Sequence, residues 1–239
     1  MVQLSFSWDD GAEEDLILMD LSLNHNIPAI FFIPATNPER KTISGTDIKT
    51  LAVNGFEIGA HTYSHLYLTE IPFENAHEEI KSGKFFLEQL LGREVAHFCF
   101  PGGKFNSELT EVSKRYFLSA RTADTGAVIQ DESFLIKPSF HFYNRGKSSL
   151  VYNSFINNSP VFKLMLMNIY YTDYFELLKK LIADLDSLPG RYRIIIWGHS
   201  WEVEKFQLWP KLEDLFHYLN ESHPHSITAY SGLLRNTLV

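Results

Sequence analysis

The stretch LSFSWDDG, residues 4–11, runs a strict alternation of apolar and small polar residues straight into two carboxylates and a glycine. Alternation at period two predicts a strand, and neighbouring strand residues point to opposite faces. Asp9 and Asp10 therefore converge on one object only if the strand ends there and the chain bends, which Gly11 permits. Taken alone, Asp-Asp-Gly reads equally as a plain turn, because Asp-Gly is a common turn pair. What surrounds it decides between the two.

Outward from that stretch the same rhythm recurs. A strand over 2–8 leads into a helix over 12–23, with Glu13, Glu14 and Asp15 in its first turn, where the helix dipole favours acids. PAIFFIP (28–34) reads as a buried strand bounded by prolines. A short helix follows, capped by Thr46 or Asp47 and stopped at Asn54-Gly55, and FEIGAHT is the next strand. A long amphipathic helix is expected from about Glu74 to Leu91, closed by Gly92. Then come the strand VAHFCF, a helix from about Glu108 to Phe117 and the strand SARTA. Beyond Asp124 the rhythm loosens: FLIKPSFHFY is extended and 144–171 is aromatic and irregular. Asp173 and Glu176 form a capping-box pair before a helix that Pro189-Gly190 stops. RYRIIIWGH is a central strand, 208–221 a helix and SITAYS a last strand. Repeated βα units with buried strands predict a parallel sheet in one α/β domain over 1–239. No Gly-x-Gly-x-x-Gly follows a strand, which favours a barrel over an open dinucleotide-binding sheet.

Composition narrows the function. With 239 residues, 45% of them hydrophobic, the chain can bury a large core. Its net charge of −8 and lack of a basic run argue against nucleic-acid or anionic-membrane binding, a local patch aside. Cys99 is the only cysteine, so neither an intrachain disulfide nor a thiolate metal cage can form; in HFCFP it reads as a buried strand thiol. No apolar run approaches the ~18 residues of a membrane helix, so no membrane insertion is expected. Asp9 and Asp10 interrupt any signal-peptide core, and a cytoplasmic location is the expectation.

Three further polar clusters sit, like Asp9-Asp10, at the C-terminal ends of predicted strands, which in a βα barrel share one mouth. In HTYSH, His61 and His65 are four apart and can face one way on a helical turn to chelate a metal, though such spacing also arises by chance. IIIWGHS ends an apolar strand at Gly198-His199; an imidazole there suits a proton donor or a hydrogen-bonded structural role. FPGGKFN places Gly102 and Gly103 where backbone N–H groups can approach a ligand, or where a loop simply turns.

Together these clusters resemble the polysaccharide deacetylase family of metal-dependent carbohydrate esterases. SWDDG is similar to its Thr-Phe-Asp-Asp-Gly motif, HTYSH matches its His-Ser/Thr-x-x-His motif, FPGG resembles its proline-glycine motif, and WGH falls where its last histidine motif belongs. The motifs keep the family order and span Ser7 to His199. The resemblance implies a distorted (β/α) barrel with seven or eight parallel strands and an acetylated saccharide as substrate. It implies Asp10, His61 and His65 as metal ligands, for Zn²⁺ or else Co²⁺ or Ni²⁺. Asp9 becomes the general base and His199 the general acid. The backbone N–H of Gly102, after Pro101, becomes the oxyanion donor.

The match is incomplete. The arginine of the family's third motif would fall near Cys99 and is absent there; Arg121 at the end of SARTA is the candidate to orient Asp9. The Asp-Trp motif has no clear counterpart. His141 is read as a core or surface histidine, and Trp201 and Glu202 as sugar-site lining or packing. These gaps leave room for a deacylase or cyclic-amide hydrolase of small non-sugar substrates, or for a silent carbohydrate-binding barrel. A cytoplasmic enzyme would meet a sugar precursor or short saccharide rather than bulk polymer. Oligomeric state is not legible.

Overall fold

The alternation in β1 (Val2–Asp9) exists because both faces of that strand are buried in different surroundings. Val2, Leu4, Phe6 and Trp8 enter the main hydrophobic cluster with helix residues such as Leu18, Leu51, Ile80 and Leu177. Ser5, Ser7 and Asp9 point the other way and are also buried, so that face offers room only to small or functional groups. The computed structural model describes residues 1–129, 133–143 and 147–235.

Seven more strands follow: β2 (Ala29–Ile33), β3 (Glu57–Ala60), β4 (His97–Cys99), β5 (Ser119–Arg121), β6 (Leu135–Ile136), β7 (Phe140–His141) and β8 (Tyr192–Gly198). They form one sheet in the order β6-β5-β4-β3-β2-β1-β8-β7, with every ladder parallel. Among the described residues no ladder joins β6 to β7, so the sheet is a curled half-barrel with its helices, of the expected (β/α) kind. A second, smaller cluster (Ile30, Phe32, Cys99, Ile195 and Trp197) is covered by Tyr230 and Leu233.

Register places the site. Parallel pairing sets Asp9 beside Phe32, Trp8 beside Gly198, Ala60 beside Phe98 and Cys99 beside Arg121. The residues that end or follow these strands (Asp9-Asp10, His61, Phe100, Arg121 and His199) thus share one edge of the sheet, the mouth at which barrel enzymes collect their chemistry.

Several local expectations are corrected. The first helix is Asp15–Asn24; Glu13 and Glu14 lie in the preceding turn and only Asp15 in its first turn. Ser44, not Thr46 or Asp47, caps helix Gly45–Val53, with Asp47 as its capping-box partner. Asp173 caps Tyr174–Ser187 by accepting from the Phe175 and Glu176 N–H groups. The segment read as irregular over 144–171 holds two helices, Lys147–Ile156 and Pro160–Met167, while 144–146 lie outside the described residues. SITAYS is not a strand: Ile227 makes one isolated bridge to Leu4, and the chain then enters helix Tyr230–Arg235. Tyr230 covers the smaller cluster, while Ile227 packs against the main one.

Candidate active site

The bend that separates the two aspartates begins one residue earlier than expected, at Asp10 itself, whose φ is +80°, followed by Gly11 at +61°. Gly enters that region freely, and Asn and Asp do so more readily than most other residues. Asp9 stays on the strand and turns inward, while Asp10 is swung toward the histidines. Both are buried.

His61 and His65 do not lie on a helical turn. The 61–65 segment is a loop with φ of +66° at Thr62 and +58° at His65, and it brings the two rings to 5.0 Å centroid separation. It is held from outside. The Glu79 carboxylate accepts hydrogen bonds from the Tyr63 N–H (3.1 Å), the Ser64 N–H (2.7 Å) and the Ser64 hydroxyl (2.6 Å). Gly83 on the same helix lets the backbone pass so close that a Cβ there would lie 2.4 Å from the Thr62 carbonyl carbon.

The donor set fits a divalent cation. Asp10 Oδ1 lies 2.9 Å from His65 Nε2 and 3.5 Å from His61 Nε2, and one ligand atom from each residue falls within 4.8 Å of the others. His61 Nδ1 lies 2.8 Å from the Cys99 carbonyl; a carbonyl only accepts, so Nδ1 carries a proton, and Nε2 is the ring atom that faces Asp10. Burial alone would raise the Asp10 carboxyl, but hydrogen bonds from both histidines hold it far below the usual carboxylate range. One carboxylate and two imidazoles suit Zn²⁺, Co²⁺ or Ni²⁺.

Asp9 faces a different partner. Arg121, wholly buried at the end of β5, forms an ion pair with Asp9 Oδ2 and donates to the Thr122 carbonyl at 2.8 Å. Its guanidinium carbon sits 4.8 Å from the Trp197 ring and 5.4 Å from that of Phe32. Burial disfavours its charge, and the Asp9 carboxylate more than restores it. Among the described residues Asp9 Oδ1 is buried without a hydrogen-bond partner, so one oxygen is held and the other is open to a proton. Cys99 Sγ lies 3.6 Å from Oδ2, and burial raises that thiol.

His199 lines the same cleft as Asp9. Its Nδ1 donates to Glu202 Oε2 at 2.6 Å, which leaves Nε2 facing the cleft, 3.9 Å from Asp10 Oδ2. Glu202 Oε2 also lies 2.9 Å from His141 Nε2. Burial would raise the Glu202 carboxyl, but the two imidazoles hold it below its ordinary value. The Trp201 indole donates to Asp10 Oδ2 at 2.9 Å, and Arg40 stacks on that indole at 3.9 Å with its Nε 3.3 Å from the same oxygen. Gly102, at φ +61°, packs under the Tyr67 ring. Asp9, Asp10, Arg40, His61, His65, Gly102, His199, Trp201 and Glu202 line a cleft of about 350 Å³.

Of the residues singled out from the sequence, the mouth gathers Asp9, Asp10, His61, His65, Gly102, Arg121, His199 and Trp201. Neither Pro101, buried in its turn, nor Arg121, buried behind Asp9, is among the residues lining the cleft. Four contributors were missed or undervalued: Glu202, His141, Arg40 and Glu79. Glu202 lies one helical turn after His199, an i,i+3 spacing that the sequence does display; the other three meet the site only through tertiary packing.

The model of the polysaccharide deacetylase family matches residues 3–120 of the chain. The chain is 28% identical over 113 residues to the peptidoglycan-N-acetylglucosamine deacetylase of Bacillus cereus. That match covers 46% of this chain and 51% of the relative, so the chain spans about half the length of the curated relative it matches. Among solved structures it resembles a polysaccharide-deacetylase-type protein of Mycobacterium smegmatis (TM-score 0.65, 13% identity, covering 98% of this chain and 88% of that one). It also resembles a family 4 carbohydrate esterase of Streptomyces lividans in complex with acetate (TM-score 0.54, 15% identity, 92% and 88% covered). At such identities the two structures establish likeness of fold alone.

Proposed function

We propose that the protein is a divalent-metal-dependent hydrolase that removes N-acetyl groups from an acetylated amino sugar or short saccharide and releases acetate. One observation carries this reading: Asp10, His61 and His65 bring their ligand atoms together in a cleft that Asp9 and His199 also line. Asp10, His61 and His65 would hold the ion, Zn²⁺ being the best fit to their chemistry. When bound, such a cation polarises a carbonyl and lowers the pKa of water.

The chain's own residues account for the proton movements. Asp9, fixed through Oδ2 by Arg121, takes the proton of the attacking water at Oδ1. The water oxygen adds to the acetamide carbon, and the Gly102 N–H is assigned to the oxygen that gains charge. His199, steadied at Nδ1 by Glu202, delivers a proton from Nε2 to the departing nitrogen as the C–N bond breaks. Acetate and a free amine result. Trp201 offers a ring face beside the cleft on which a sugar can pack.

The test is acetate release from N-acetylglucosamine oligomers with added Zn²⁺, against a protein stripped with EDTA. Metal-dependent release supports the reading. Release from small amides alone replaces the sugar substrate with a non-sugar one. Saccharide binding without any release overturns the enzyme.

A further inference from the structure

The helical hairpin Lys147–Ile156 and Pro160–Met167 has an outer face unlike the rest of the surface. Among the described residues seventeen large hydrophobic side chains are exposed, and seven lie between positions 152 and 170: Tyr152, Phe155, Ile156, Leu166, Met167, Ile169 and Tyr170. Met167 and Tyr170 are each 69% exposed. The inner face is conventional, with Leu150, Val161, Leu164 and Met165 buried. The outer residues form one patch: the two helices pack antiparallel, the Phe155 and Phe162 rings meet at 5.1 Å, and Lys147 Nζ donates to the Ile169 carbonyl at 3.2 Å. Exposed apolar area this concentrated marks an interaction site.

Charge selects the partner. From Phe134 to Thr172 the sequence contains no Asp or Glu and four basic residues, Lys137, Arg145, Lys147 and Lys163. The segment is thus +4 in a chain of net −8, and the remainder carries −12. A symmetric contact with a second copy would set like charges against each other. Apolar and tyrosine side chains flanked by lysines, with no acid among them, match a negatively charged lipid interface. The hairpin also adjoins the cleft. Leu150 and Asn153 on its inner side, with His141, Tyr143 and Trp197, line a cavity of about 200 Å³ that shares Ala123 and Trp197 with the cleft.

We propose that this hairpin docks the protein peripherally on an anionic lipid surface, with the mouth held beside it. The inference stands apart from the hydrolytic reading. It is tested by co-sedimentation of the full chain with phosphatidylcholine vesicles made with or without phosphatidylglycerol. Partition onto the anionic vesicles should exceed that onto neutral ones by about tenfold at low salt and fall as salt is added. Leu166→Ser with Tyr170→Ser should lower anionic-vesicle binding by about tenfold or more. Lys163→Glu, which leaves the apolar residues intact, should erase most of the preference for anionic lipid. Phe85→Ser, at an exposed ring on helix Phe73–Leu91, should change nothing. No partition onto anionic vesicles overturns the proposal, as does partition indifferent to the hairpin substitutions. A dimer in sedimentation velocity that Leu166→Ser with Tyr170→Ser dissolves, without vesicle binding, assigns the face to a second copy instead.

Discussion

Arg121 and Asp9 form a buried ion pair between the ends of β5 and β1, a full 112 positions apart in the chain. Its guanidinium is enclosed by Trp197 and Phe32 rather than by water. Such a pair is stable only as a pair: removing one member leaves the other charge buried and uncompensated. Arg121→Met should therefore destabilise the fold by about 3–5 kcal/mol, and adding Asp9→Asn should recover much of that loss. Urea unfolding of the single and double variants measures both. An additive double variant would show that the two residues do not act together.

Ion binding and proton transfer separate by mutation. His61→Ala and His65→Ala should abolish stoichiometric zinc, read by metal analysis after dialysis. Asp9→Asn and His199→Gln should keep the metal while turnover falls by about 10²-fold or more. Full activity in Asp9→Asn would remove that residue from the role of base.

Glu202 links the acid to the pH response of stability. Its carboxyl is held below the ordinary value, so the stabilisation it brings is present above the pKa of the unfolded chain, about 4.5, and is lost as pH falls through the folded value. Glu202→Gln should flatten the drop in Tm on acidification below about pH 4.5. It should also reduce turnover more than substrate binding, because it frees the His199 ring. Melting curves against pH, with kcat and KM at one pH, test the two effects separately.

Asp15 works in the opposite sense. It is fully buried and accepts from the Ser200 hydroxyl at 2.6 Å; burial raises its carboxyl well above the ordinary value. The folded form then binds a proton that the unfolded form has released, so stability is lost as pH rises above the unfolded value of about 3.9. Asp15→Asn keeps an acceptor for Ser200 and should raise Tm at pH 8 while leaving it unchanged near pH 3. A lower Tm at both values would contradict the burial argument.

Gly83 offers a test remote from the chemistry. In an exposed helix interior Gly→Ala normally gains about 1 kcal/mol, but here the new Cβ would press on the Thr62 carbonyl. Gly83→Ala should lose stability and weaken zinc binding together, as isothermal titration would detect.

What the sequence made legible follows from what is local. Strand alternation, the Gly92 stop and the DDG bend each depend on neighbours, and so the sheet and the mouth could be anticipated. The stretch SITAYS misled because Ile227 and Tyr230 pack into two different clusters, a tertiary use that periodicity does not encode. The helices in 147–167 were hidden for a related reason: outer faces that carry Tyr152, Phe155 and Met167 blur the polar half of a helical pattern. At the site, motif residues stood out because strand ends converge. Arg40, Glu79 and His141 did not, since each reaches its partner through packing between distant segments. Glu202 was visible one turn beyond His199, but nothing in the spacing alone distinguishes a partner from a solvated acid.

The carboxylate of Glu79 has an effect larger than its three hydrogen bonds. Because the loop between the two imidazoles is moored to the flank of a helix, while His61 is also held by the sheet, the ease with which an ion held there would be lost becomes in part a property of how that helix sits. Substitutions far from the mouth, anywhere along the underside of 73–91, would then retune cation retention while every ligand stays unchanged.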